Sequence, residues 1–180
     1  MILEPARHWA WHYDSKQDRL VTDLGEQWLF VTPYSSKWLI PDARQGGCFD
    51  LDDAAFYQQV LDHVRVFAQL SDAACVQIAL NACAIRRFAK PTMPKSWFFA
   101  ENPQGEQNSG ALVSLQTAFG RGQCLVIECQ DNSSLCMLID EPLALSDSQT
   151  LHSFQMVKVM NNRLWPSKWQ PDQAILRQVS

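Results

Sequence analysis

Charge is scarce in this chain of 180 residues: Asp, Glu, Lys and Arg make up 19% of it, with a formal net charge of -4. A protein that grips nucleic acid through counterion release needs a basic face, so this balance argues against a general nucleic-acid binder. Long apolar runs are also missing. The best candidate segment is broken by Gln77, Asn81 and Arg86, short of the roughly 18 apolar residues of a membrane span. Met1-Ile2-Leu3-Glu4-Pro5 lacks the basic start and apolar stretch of a signal peptide, so a soluble, cytoplasmic chain with no membrane partner is expected. There is no C-x-x-C pair. Cys48, Cys75, Cys83, Cys124, Cys129 and Cys136 each lie in an apolar run, and the expectation is buried, reduced thiols rather than a disulfide framework. The G-x-S-x-G elbow, the phosphate-binding G-x-x-x-x-G-K-[ST] loop and the G-x-G-x-x-G turn are all absent. Acyl transfer, nucleotide hydrolysis and dinucleotide redox chemistry therefore have no motif to rest on, and the chain is not expected to be an enzyme or to carry a cofactor.

What the sequence does have is apolar bulk: 47% hydrophobic residues, with seven Trp and nine Phe. A chain of this length hides about 70% of its unfolded surface when it folds. Trp9, Trp11 and Tyr13 alternate with His8, Ala10 and His12, the period of a half-buried strand. Short runs at 19–24, 27–32 and 37–40 continue an antiparallel meander, and 41–47 reads as a loop. Asp50 is placed to cap a helix running to about Gln69, with Phe56, Val60, Val64 and Phe67 on one face. Ser71 caps a second helix, apolar almost all round and interrupted by Gln77 and Asn81, which must find hydrogen-bond partners if buried. Pro91 and Pro94 end it, and a strand is expected from Ser96 to Glu101. Residues 102–110 are polar and read as a linker or exposed loop. After it come short strand-like runs at 111–118, 124–130, 135–139, 143–145 and 154–160, separated by Gly120-Arg121-Gly122, Asp131-Asn132-Ser133 and Asp147-Ser148. The last residues, after Pro171, read as a short helix or a frayed end. The predicted fold is α+β in two subdomains: an N-terminal α/β meander with two helices (1–101) and a small β-barrel-like C-terminal domain (111–180).

Most candidate chemistry fails on geometry. On a strand, His8 and His12 stand about 13 Å apart, too far to share a metal ion. Cys75 and Cys83 are about 12 Å apart along a helix and serve as core. The acidic run Asp50, Asp52 and Asp53 coincides with a helix start, where capping accounts for it. Trp9, Trp11, Trp28 and Trp38 read as core or pocket lining, with a groove for an apolar peptide as the other use of so many aromatics on one meander. Charge placement stands out instead. Residues 71–97 carry four basic side chains against one acidic, whereas the segments on either side are net acidic. Arg86, Arg87, Lys90 and Lys95 thus form a positive end beside Met93 and Trp97, a candidate protein-recognition surface. The plainer reading is that cations at a helix C-terminus complement its dipole.

Several of these residues also carry a family resemblance. Trp9-Ala10-Trp11-His12-Tyr13-Asp14, Asp18-Arg19-Leu20, Asp23-Leu24, Pro41-Asp42-Ala43, Asp52-Asp53-Ala54, Leu80-Asn81-Ala82 and above all Lys90-Pro91-Thr92-Met93-Pro94-Lys95-Ser96-Trp97 resemble the ZapC family of cell-division proteins. The closing Lys158-Val159-Met160-Asn161-Asn162-Arg163-Leu164, with Pro166, matches in order and position. The resemblance covers essentially the whole chain and departs from the family between Glu101 and Gly122. It implies a non-enzymatic accessory of FtsZ, the tubulin-like division GTPase, found in the cytoplasm at the midcell septum. Proteins of this kind bind FtsZ polymers, bundle protofilaments laterally, suppress GTP turnover and stabilise the Z-ring.

On that basis Arg86, Arg87, Lys90, Met93, Lys95 and Trp97 are expected to form one FtsZ-binding surface, and Lys158, Arg163 and Trp165 a second. The chain would act as a monomer with two sites or through weak self-association. The competing reading is a small-ligand or single-strand nucleic-acid module, with Trp165 and Trp169 stacking bases. The net acidity of the C-terminal half weighs against it.

Overall fold

The alternation that begins at Trp9 becomes strand β1 (Ala10–Asp14), turned back by the Asp14 carboxylate, which accepts the Lys16 N–H at 2.9 Å and the Gln17 N–H at 3.2 Å. The computed structural model describes residues 2–67, 69–105, 108–174 and 177. By internal contacts the chain divides into two units, Met1–Leu61 with Asp72–Pro91, and Asp62–Ser71 with Thr92–Ser180.

In the first unit β1 is joined by β2 (Arg19–Asp23), β3 (Leu29–Val31) and β4 (Gly47–Cys48) in an antiparallel sheet of order β3-β2-β1-β4. The pairs Trp11↔Thr22, Tyr13↔Leu20 and Thr22↔Phe30 set the register, so one sheet face carries Trp11, Leu20 and Phe30. Two helices belong with it, α1 (Leu51–Val64) and α2 (Asp72–Phe88). Asp50 caps α1 as its position predicts. Its carboxylate accepts the Asp53 N–H at 2.9 Å, and Asp53 returns the bond to the Asp50 N–H at 3.1 Å, a reciprocal capping box. The tight approach of β4 to β1 depends on Gly46, at φ +66°, where a Cβ would collide with the Trp11 carbonyl oxygen.

Several expectations for this half are corrected. Residues 37–40 are not a strand: Ser36–Trp38 is a 3-10 turn, and the expected loop holds a second one at Pro41–Gln45. Helix α1 ends at Val64, not near Gln69, because the Phe67 N–H bonds back to the Val64 carbonyl at 3.2 Å and Phe67 makes an isolated β-bridge with Pro171. Gln77 is exposed, while Asn81 is fully buried and neither of its amide atoms has a protein partner. Trp9 and Trp11 are core, but Trp28 is 69% exposed and Trp38 37%.

The second unit is built on β5 (Leu112–Thr117), β6 (Gly120–Cys129), β7 (Ser133–Leu138), β10 (Met156–Met160) and β11 (Trp165–Pro166), with β8 (Leu143–Ala144) and β9 (Thr150–Leu151) forming a separate pair. The five strands are antiparallel in the order β10-β7-β6-β5-β11. Alternate residues of four strands, Val113 and Leu115, Cys124 and Val126, Cys136 and Leu138, Val157 and Val159, meet in one buried cluster.

The sheet does not close into a barrel. Strand β11 is only two residues long, and the outer side of β10 is occupied by the Lys95 N–H and the Ser96 hydroxyl instead of a strand. Gly120-Arg121-Gly122 is not a turn but the start of β6. The glycine at 122 leaves room for Leu138, whose Cδ1 would stand 2.8 Å from a Cβ there. The expected strand from Ser96 to Glu101 is a 3-10 turn at Ser96–Phe98. None of the six cysteines is in a disulfide; four are buried as expected, while Cys48 and Cys129 are exposed. The proposed terminal helix falls largely outside the described residues. Among the described residues no helix is long and apolar enough to cross a membrane, and no three His, Cys, Asp or Glu side chains gather to hold a metal ion.

Candidate surface for protein recognition

The positive end foreseen around 86–97 is drawn from both units, so its two parts are described separately. In the first unit Arg86, Arg87 and Lys90 leave the C-terminal turn of α2 with different fates. Arg86 is exposed, its guanidinium 4.8 Å from the centre of the Phe56 ring. Arg87 is committed to the fold: it bonds the Asp53 carboxylate, donates to the Cys48 carbonyl at 2.6 Å and lies 3.5 Å from Asp50. Lys90 is exposed, and its N–H donates to the Trp38 carbonyl at 2.9 Å. That bond, with the Leu39↔Ala89 bridge, fastens the end of α2 to the segment after β3.

Lys90 therefore stands with cations that spacing alone did not bring together. Lys37 sits 4.9 Å from the centre of the Trp38 ring, and Arg44 is 5.9 Å from that of Tyr13. Tyr13, Leu39, Ile40 and Ala43, together with Arg44 and Lys90, line a cavity of about 250 Å³. An apolar pocket with two cations can seat an apolar side chain flanked by carboxylates. Lys37 and Arg44 are hidden in the sequence because they lie in a net acidic segment, whereas Trp38 reads there as core, pocket lining or part of a peptide groove.

In the second unit the structure merges residues read as two surfaces. The Lys95 N–H donates to the Lys158 carbonyl at 2.8 Å, the Met160 N–H to the Ser96 hydroxyl at 2.8 Å, and Arg163 Nε to the Ser96 carbonyl at 3.1 Å. Trp165 Nε1 reaches the Ala100 carbonyl at 3.2 Å. The segment from Lys95 to Ala100 thus lies along β10 and the turn after it. Met93, just before this segment, and Trp97, within it, are 79% and 71% exposed, and Trp97 rests against Phe98 with ring centres 5.4 Å apart. Lys95 is exposed and Lys158 half-buried, its Nζ 3.4 Å from Gln130 Oε1. Arg163 is more engaged, ion-paired with Glu101 at 3.2 Å. Exposed aromatics beside cations make a surface suited to a partner with acidic groups around apolar ones.

Comparison with known proteins places the chain. A family model described as "Cell-division protein ZapC, N-terminal" matches residues 2–90, and a second, "Cell-division protein ZapC, C-terminal", matches residues 91–170. The chain belongs to the ZapC family of cell-division proteins. It is 42% identical over 181 residues to the Cell division protein ZapC of Aeromonas hydrophila subsp. hydrophila, covering 100% of both chains. It is 41% identical to that of Ferrimonas balearica over 92% of this chain and 93% of the other, and 39% identical to that of Photobacterium profundum over 91% and 92%. A role in cell division follows from this membership.

Proposed function

We propose that this protein is a non-enzymatic accessory of the Z-ring that binds FtsZ polymers at the midcell septum, bundles protofilaments laterally and slows GTP turnover. The observation that carries the reading is the presence, on a ZapC-family chain that is acidic overall, of exposed cations together with exposed apolar side chains: Arg86, Lys90, Lys37 and Trp38 in one unit, Lys95, Met93 and Trp97, with the half-buried Lys158, in the other. Filaments of an acidic polymer repel each other, so a bundling protein must both screen charge and hold two filaments. Each unit carries its own cations and aromatics, and a single chain then offers two modest attachments, amplified by the effective concentration along a filament. Slower hydrolysis needs no contact with the nucleotide. A ligand that prefers the assembled state shifts the population toward it and delays turnover.

The test is sedimentation with FtsZ and GTP, paired with phosphate release and electron microscopy of the pellet. The protein is expected to co-pellet with thick bundles and reduce phosphate release. The double variant Lys90→Glu/Lys95→Glu is expected to lose co-pelleting with an unchanged circular dichroism spectrum. Full binding by that variant would remove these lysines from the contact, and failure of the parent chain to co-pellet would overturn the reading.

A further inference from the structure

Strand β3 is one edge of the first unit's sheet, with no further strand paired to it among the described residues, and the surface proposed for FtsZ does not use it. Its hydrogen bonding fixes which groups are free. The Leu24 N–H donates to the Trp28 carbonyl at 2.9 Å and the Thr32 N–H to the Leu20 carbonyl at 2.9 Å, with Phe30 opposite Thr22 between them. Main-chain groups alternate in direction along an antiparallel strand. Those of Trp28, Phe30 and Thr32 therefore face β2, and the N–H and C=O of Leu29 and Val31 face away from the sheet.

The side chains there are apolar and uncovered: Trp28 is 69% exposed, Leu29 62% and Val31 47%. Sheet edges are ordinarily blunted by short strands, a lysine or a proline; β3 is short and Pro33 follows the run, but Trp28-Leu29-Phe30-Val31-Thr32 itself contains neither lysine nor proline. The approach to the edge is held in one shape. Gly25, Glu26 and Gln27 follow one another at φ +81°, +52° and +67°, the Gly25 N–H bonds Asp23 Oδ1 at 2.8 Å, and the Trp28 N–H bonds the Gly25 carbonyl at 2.9 Å. His8 Nε2, 3.0 Å from the Leu24 carbonyl oxygen, lies where a Cβ on Gly25 would be. Consecutive left-handed residues are costly and persist where the surroundings over-determine them, so Trp28 is presented by a pre-formed loop.

We infer that the β3 edge docks an extended, basic peptide segment of another protein, which adds to the sheet as a fifth strand and lays alternate apolar side chains beside Leu29 and Val31 on one face, with Trp28 on the other. Charge selects that occupant. Between Arg19 and Lys37 the only carboxylates are the exposed Glu26 and Asp23, whose Oδ2 lies 3.8 Å from His12 Nε2, and there is no lysine or arginine; acids at the entry to the edge favour a partner bearing lysine or arginine. A second copy of this chain is the weaker occupant: a three-residue strand pairing with itself buries far less than the roughly 1,200 Å² at which stable interfaces begin.

The experiment is amide hydrogen exchange on the full chain with two synthetic probes, the blocked peptide KVTVTVK and its acidic twin EVTVTVE. KVTVTVK is expected to slow exchange at Leu29 and Val31 by about tenfold and EVTVTVE to have little effect. Val31→Pro removes one outward N–H and is expected to abolish the protection at Leu29 with an unchanged melting curve. Glu26→Lys, in an exposed loop, keeps the test informative if the proline variant fails to fold, and is expected to shift the preference toward EVTVTVE. Equal protection by both peptides, or protection retained in a folded Val31→Pro chain, would overturn the inference. Protection that grows with protein concentration in the absence of peptide would also overturn it, by making a second copy the occupant.

Discussion

Asp18 closes the β1–β2 hairpin in a left-handed conformation, φ +52°, and its carboxylate gathers the turns around it. It accepts the Ser36 N–H at 3.0 Å and a bond from the Tyr13 hydroxyl. The Ser36 hydrogen bonds, joined by nearby Arg19 and Arg44, hold its pKa below the ordinary carboxylate value. A depressed folded pKa means the unfolded chain binds more protons in the window between the two values. The stabilisation is therefore complete above the unfolded pKa of about 3.9 and is lost as the pH falls through the lower folded value. Asp18→Asn, which tolerates the same backbone conformation, is expected to flatten the decline of stability below about pH 4, read from urea midpoints across that range. The hairpin was legible in the sequence, because Ser15 to Asp18 is a run of turn formers. The tie to Ser36 was not, since the two residues are brought together only by the meander's third segment.

At the scale of elements, the first turn of α1 does more than capping predicts. Asp53 is 5% exposed, and its carboxylate takes the Trp11 indole N–H at 3.0 Å from β1, the Arg87 guanidinium from α2 and the Asp50 N–H from its own cap. One buried carboxylate thus joins β1, α1 and α2. Asp53→Ala strands a cation and an indole donor and is expected to cost about 3–5 kcal/mol. Asp50→Ala removes a helix cap and a longer, 3.5 Å contact with Arg87 whose main carboxylate partner stays in place, and should cost only about 1–2 kcal/mol. Urea unfolding of the two variants checks the contrast, and similar losses would mean that capping is the whole role. The acidic run was correctly placed at a helix start, but its partner lies 34 positions further on, beyond the reach of local pattern. For the same reason Arg87 was grouped with the free cations.

At the scale of the whole molecule, the chain is acidic but carries exposed Arg86, Lys90 and Lys95. Solvent-exposed charges are screened beyond about 10 Å at 0.1 M salt and beyond about 3 Å at 1 M. Co-pelleting with FtsZ is therefore expected to weaken several-fold as salt rises between those limits, measured by titration at each concentration, and a salt-indifferent affinity would shift the weight to Met93 and Trp97. The amino-acid sequence by itself determined the α+β class, the capped start of α1, the buried α2 and the alternating strands of the C-terminal half. Each is a local regularity: a period of 2 or 3.6, a cap, or a proline that ends a helix. Tertiary structure decided the rest. It turned the expected strand at Ser96 into a segment tied to β10 and Arg163, left the C-terminal sheet open, and exposed Trp28 while burying Trp11. The physical reason is that burial and hydrogen bonding between residues far apart in sequence outweigh the small preferences that neighbours impose on one another.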